Sequence, residues 1–276
     1  MNNWLNEANE TEFQFDKSAL QETAQKINAN AESLQSLASS LDMKVQDKVE
    51  SKQVIFDGMS AFLIENGPEE KNVLPYTEEL SEEQARIIDG YSKAEKFMLK
   101  KLKEEPFLYP DLMKALHKII SDNDDNVPLK DKGRYRVDEV VTGLRFNATA
   151  TNNIENEMNM AFFNFAFRNP KLCTEDVFAQ IAKLHAQIVR IQPFIDGNKR
   201  VAFLATNGML KLYGFPIIDL CKDNEESKKY CEALDAAIVG RDVTSLALLF
   251  ANKVKHRQNE TIKAIKIKNI EDNFSR

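Results

Sequence analysis

RIQPFIDGNKRVAF, residues Arg190 to Phe203, is the stretch whose reading decides the fold. Before it, TEDVFAQIAKLHAQIVRI is apolar at helical spacing, with Thr174 placed as a cap and Glu175 and Asp176 in the first turn. After it, KRVAFLATNGMLKLYG reads as a second helix closed by Gly214. The polar and small residues between them run into the start of that second helix. A helix start offers N–H groups that its own ladder does not use, together with a partial positive charge, and so suits an anion. Gly197 allows close backbone approach, and Asn198 and Arg200 supply donors, Arg200 as a planar fork that matches phosphate oxygens. Asp196 supplies one hard oxygen ligand, which suits a Mg²⁺ ion held mainly by substrate phosphates. On residue types alone, the loop is either a site for phosphate and metal or a plain helix–helix turn.

Working outward, KSALQETAQKINANAESLQSLASSLDMKVQDKVE (17–50) carries Leu20, Ala24, Ile27, Leu34, Leu37 and Leu41 at roughly helical spacing and contains no Gly or Pro. A second periodic run, Val54 to Ile64, ends at the helix-stopping ENGPEE. LSEEQARIIDGY restarts a helix with Ser81 as cap, and helical pattern continues through AEKFMLKKL and YPDLMKALHKIIS. DNDDNVPLKDKGRYR is a loop. RVDEVVTGLRFNATAT is β-branched, with Gly143 placed for a hairpin. IENEMNMAFFNFAF returns to helix, and the segment beyond Gly214 adds two or three more, ending in a basic tail. The fold class expected is an all-α bundle with one small β-hairpin.

The composition agrees: 43% of residues are hydrophobic, while Gly and Pro number only 9 and 8, which favours helices joined by short loops. A net charge of −6 argues against non-specific nucleic-acid binding, and no apolar run reaches membrane-spanning length. The polar, acidic start is neither a signal nor a transit peptide. Cys173, Cys221 and Cys231 form no even framework and read as reduced thiols. A cytoplasmic protein is expected, with export as an effector left open. Oligomeric state is not readable.

IVRIQPFIDGNKRVAF resembles the signature of the Fic/Doc (Fido) family, whose loop reads His-Pro-Phe-x-Asp/Glu-Gly-Asn-Gly/Lys-Arg. KALHKII, GRYRVDEVVTG and LHAQIVRI before the loop, and KLYGFPIIDL with YCEALDAAIVGRDVTSLALLF after it, resemble the family's helices and flap in the same order. The resemblance implies a Fic-type domain over 105–255, a helical region before it (1–104) and a helical tail after it (256–276). It implies binding of ATP with Mg²⁺, and AMP transfer to a Ser, Thr or Tyr hydroxyl of a target protein. Phe194 is then a buried anchor, Asp196 the metal ligand, Gly197 and Asn198 an anion hole, and Arg200 a phosphate contact. Val140, Val141, Thr142 and Gly143 belong to the flap that aligns a target peptide by strand addition.

Two positions depart from the family pattern. Gln192 stands where the family has its general-base His, and a carboxamide is not basic near pH 7. Phe203 stands where many AMP-transferring members carry a second basic residue. Lys199, in place of a Gly, matches the Doc-like variant and leaves phosphate transfer open as an alternative; as a plain residue it reads as a solvated cation. SAFLIENG resembles the family's inhibitory helix, expected near residues 50–66, with Glu65 as the inhibitory acid. The expectations are an attenuated transferase, a nucleotide-binding pseudoenzyme acting as a regulatory module, or a His replaced by Gln. His185 is two helical turns before Gln192, roughly 10 Å of rise away, and reads as a packing histidine.

Overall fold

The computed structural model describes residues 12–38, 82–122, 124–140, 146–166, 169–220 and 223–274. In chain order its helices are α1 (Gln21–Ala38), α2 (Glu82–Glu104), α3 (Pro110–Ser121), α4 (Ile154–Phe165), α5 (Thr174–Ile191), α6 (Asn198–Leu212), α7 (Asn224–Ile238) and α8 (Thr244–Phe274). The sequence stretch beginning at Lys17 opens as a 3₁₀ turn, Lys17–Leu20, rather than as α-helix. The Asp16 side chain starts that turn by accepting from the Ser18 N–H at 2.9 Å.

Helices α5 and α6 are the centre of the molecule. Along α5, residues from Val177 to Ile191 are buried on nearly every side, and every residue of α6 from Arg200 to Leu210 is buried. Helices apolar all round belong inside a bundle, and these two pack against each other with the motif loop as their connection. Helix α4 covers α5 on one side, α2 and α3 cover α6, and α7 and α8 close the other side of α5. Helix α1 runs parallel to α8: the Asp16 N–H donates to Thr244 Oγ1 at 2.8 Å, and the Asn30 amide donates to Asn259 Oδ1 at 3.0 Å.

His185 is the polar pin of this core. It is fully buried, with Nδ1 2.9 Å from Thr206 Oγ1 on α6 and Nε2 2.8 Å from the Tyr230 hydroxyl on α7. Thr206 donates its own proton to the Ala202 carbonyl, so His185 Nδ1 is the donor and Nε2 accepts from Tyr230. Burial pushes the imidazole down to about 3, so it is neutral at pH 7. Its role is packing and hydrogen bonding, as its place in the sequence implied.

Two features differ from what the sequence pattern implied. Among the described residues no strand forms; the one β-bridge joins Gln14 to Asp242. The limbs of the expected hairpin, 137–140 and 146–150, are instead drawn together by a side chain, because Arg136 donates to the backbone carbonyls of Asp138 and Thr149. Thr174 does not cap α5: Cys173 holds the cap position with no side-chain capping bond, and the Thr174 hydroxyl donates to Asn28 Oδ1 at 2.8 Å. The helical pattern that runs through Gly90 forms one helix, α2, as the sequence implied. Leu41, Glu65, Ser81, Val141, Thr142, Gly143 and Cys221 lie outside the described residues. Cys173 and Cys231 are free thiols.

Candidate functional site

The loop between α5 and α6 is closed by side-chain amides. Gln192 ends α5 in the left-handed region, φ 50° and ψ 61°, an uncommon conformation for a residue with a Cβ. Its amide holds it there: Nε2 donates to the Val189 carbonyl at 2.8 Å and Oε1 accepts from Asn198 Nδ2 at 2.8 Å. Asn198 also donates to the Phe194 carbonyl at 2.9 Å and accepts the Phe194 N–H at 2.8 Å. The Asn198 side chain is therefore a clamp across the loop. The backbone N–H groups of the first turn of α6 are of the kind that suits an anion.

Arg136 fastens the loop from the flap side. Its backbone N–H donates to the Pro193 carbonyl at 2.9 Å, and its Nε donates to the Gln192 carbonyl at 2.7 Å. With the rest of the guanidinium on Asp138, Glu139 and Thr149, one buried side chain joins the motif loop to both limbs of the flap. Thr149 is further tied to Glu157 on α4, and Glu157 pairs with Arg190 at the end of α5. Val140, the one flap residue of the four that is described, is half-buried beside this tether.

His117, on α3, fixes the other side of the loop. Its ring stacks on Phe194 with centroids 4.0 Å apart and planes 6° from parallel. The Gly133 N–H donates to Nδ1 at 2.9 Å, so the proton sits on Nε2, which donates to the Asp196 carbonyl at 3.1 Å. Burial, helped by the Arg200 charge, pushes this imidazole down to about 4. Gly133 reaches it in a left-handed conformation, φ 72°, where a Cβ would come within 2.8 Å of Lys118 Cβ. Nothing in the sequence reading gave His117 or Arg136 a role. Their signal is weak: a His seventy-nine positions before Asp196 and an Arg in a loop have no periodicity to betray them.

At the mouth, Gly197 starts α6 at φ 75°, and a Cβ there would stand 3.3 Å from Ile120 and 3.5 Å from Arg200 Nη2. Arg200 is 2% exposed, and its Nη2 lies 3.3 Å from Asp124 Oδ2 and 3.5 Å from Asp196 Oδ2. Asp196 is 40% exposed and is the accessible carboxylate of the loop. Among the described residues there is no group of three or more His, Cys, Asp or Glu side chains able to hold a metal. The donor set fits a Mg²⁺ ion carried largely by phosphate oxygens, with Asp196 as protein ligand. Phe203 is buried and stacked on Tyr91 of α2, centroids 5.8 Å apart, so its position serves the core. Lys199 is half-buried on the side of α6 that faces α7, where burial pushes the Cys231 thiol up and the lysine charge opposes it. A groove of about 580 Å³ opens elsewhere, between α7 and α8, and shares no residue with the loop.

Residues 107–210, which hold the loop, α3, α4, α5 and most of α6, match the model of the Fic/DOC family. A Fido domain-containing protein of Dictyostelium discoideum is 34% identical over 122 residues, 44% of this chain and 84% of that protein. The chain belongs to the Fic/DOC family. Solved Fic structures share its fold. Caenorhabditis elegans Fic-1 (residues 134–508) superposes with a TM-score of 0.68 at 18% identity, over 89% of this chain and 73% of that one. A Fic domain-containing signaling protein of Bacteroides thetaiotaomicron gives 0.67 at 20% identity, over 87% and 98%. In this Fic chain, as in the all-α class expected from sequence, the motif loop is the link between the two central helices. No helix of the described residues is long and apolar enough to cross a membrane.

Proposed function

We propose that this Fic protein binds ATP with Mg²⁺ at the 193–200 loop, and that AMP transfer to protein hydroxyls, common among Fic/Fido proteins, is attenuated at Gln192. The observation that carries this reading is the state of the Gln192 amide, held at both ends by Val189 and Asn198 at 2.8 Å each. A hydroxyl attacking the α-phosphate must lose its proton. The carboxamide is not basic near pH 7, and both of its polar atoms are engaged in the loop. General-base catalysis is worth about 10²–10⁴-fold, which is the scale of the attenuation.

Several residues support the nucleotide half of the proposal. The first turn of α6 faces phosphate with its dipole and N–H groups, and Gly197 keeps the backbone close. Arg200 binds phosphate oxygens, and Phe194, locked under His117, holds the loop in shape from below. Asp196 would hold Mg²⁺, which when bound draws charge from the phosphate being transferred. With the proton acceptor gone, the retained cradle makes nucleotide-dependent regulation of a partner the main output. Calorimetric titration with Mg²⁺ and ATP tests the site: Arg200→Ala and Asp196→Ala are each expected to weaken binding by about tenfold or more. Unchanged affinity in both variants contradicts the assignment.

A further inference from the structure

Asp124 belongs to the loop after α3, which the sequence reading left without function, yet it reaches the mouth of the site. Its carboxylate is set in place at both ends: Oδ1 accepts the Asn126 N–H at 3.0 Å, and Oδ2 lies 3.3 Å from Arg200 Nη2. Its side chain is only 8% exposed, against 40% for Asp196 on the other side of the same nitrogen. The Arg200 guanidinium therefore stands between two carboxylates. A phosphate chain approaching Arg200 meets Asp124 as a competitor on the guanidinium and as a like charge close by. A divalent cation reverses that balance.

We infer that Asp124 is a specificity-determining residue that restricts the cradle to cation-bound polyphosphate and rejects the same nucleotide without its metal. The inference rests on the reading of the loop as a phosphate site. Like charges within about 7 Å at the effective dielectric of a protein surface change binding on the order of tenfold or more. Sequence offers no way to find this residue, because Asp124 sits in an acidic loop, DNDDN, whose other members look the same.

The test is calorimetric titration of ATP into the native protein and Asp124→Asn, each in Mg²⁺ and in EDTA. Asparagine retains the oxygen that accepts the Asn126 N–H, so the turn is kept while the charge is removed. The native protein is expected to bind ATP with Mg²⁺ and to bind it far more weakly in EDTA. Asp124→Asn is expected to narrow that gap on the order of tenfold, through tighter binding of the metal-free nucleotide. An equal gap in the two proteins overturns the inference and leaves the phosphate site standing. If Asp124→Asn does not fold, native protein alone decides: equal affinity in Mg²⁺ and EDTA overturns it. No binding to either protein under any condition removes the phosphate site itself, and the inference with it.

Discussion

Acidification from pH 7 to pH 5 is expected to cost this fold about 4 kcal/mol, through two histidines. His117 and His185 are buried and neutral, with pKa values pushed down to about 4 and about 3. In the unfolded chain each returns to about 6.5. Below that value the unfolded state takes up protons that the folded state refuses, so stability is complete above pH 6.5 and falls as the pH drops toward the folded values. At pH 5, about 1.5 units below the unfolded pKa and still above both folded ones, each histidine contributes a loss of about 2 kcal/mol. The result at pH 5 depends on the unfolded value and hardly on how far below 5 the folded ones lie. Urea unfolding followed by circular dichroism at pH 7, 6 and 5 measures the effect. His117→Gln is expected to remove about half of the dependence. A stability that stays level to within about 1 kcal/mol, or that rises toward pH 5, refutes the assignment of two neutral buried imidazoles.

Other perturbations probe the loop. Gln192→Ala is expected to lower stability by about 1–2 kcal/mol by deleting two side-chain hydrogen bonds. Gln192→Gly is expected to be about 1 kcal/mol less harmful, because φ 50° costs glycine nothing; thermal melts in which alanine is the better tolerated would contradict the left-handed conformation. Arg136→Ala is expected to cost about 2–4 kcal/mol and to expose residues 137–140 and 146–149 to proteolysis; a variant equally resistant there would show that these limbs have another tether. Gly197→Ala is expected to lose about 1–2 kcal/mol from its φ of 75° and to weaken ATP binding, both read in one calorimetric series.

The sequence pattern located the helical frame because α5 and α6 carry apolar residues at nearly every turn position, and a short loop joining two buried helices admits few arrangements. Thr174 shows where local rules stop: its hydroxyl serves Asn28, 146 positions away, instead of the helix end beside it. The flap shows the same thing on a larger scale. A β-branched run with a glycine reads as a hairpin, but among its described residues it is the Arg136 side chain, bonded to the Asp138 and Thr149 carbonyls, that joins the two limbs. In the candidate site, the placement of residues close in the chain was legible from the motif: Phe194, Asp196 and Gly197 sit in the loop and Arg200 in the first turn of α6. Those that reach it from elsewhere were not. His117, Gly133, Asp124 and Arg136 approach from a different helix and loop, and only the folded chain sets them against the loop. Asn198 was legible as a loop residue but not as a clamp, since the partner of its amide, Gln192, is fixed by a left-handed turn.

Whether Gln192 limits AMP transfer is decided by comparing the native protein with Gln192→His, each incubated with Mg²⁺ and ATP labelled at the α-phosphate, alone and with a cell lysate. Intact mass spectrometry reads the group transferred. The histidine variant is expected to label itself or a target with AMP at a rate about 10²–10⁴-fold above the native protein. Equal labelling by both proteins would contradict it, because Gln192 would then not be the position that limits transfer.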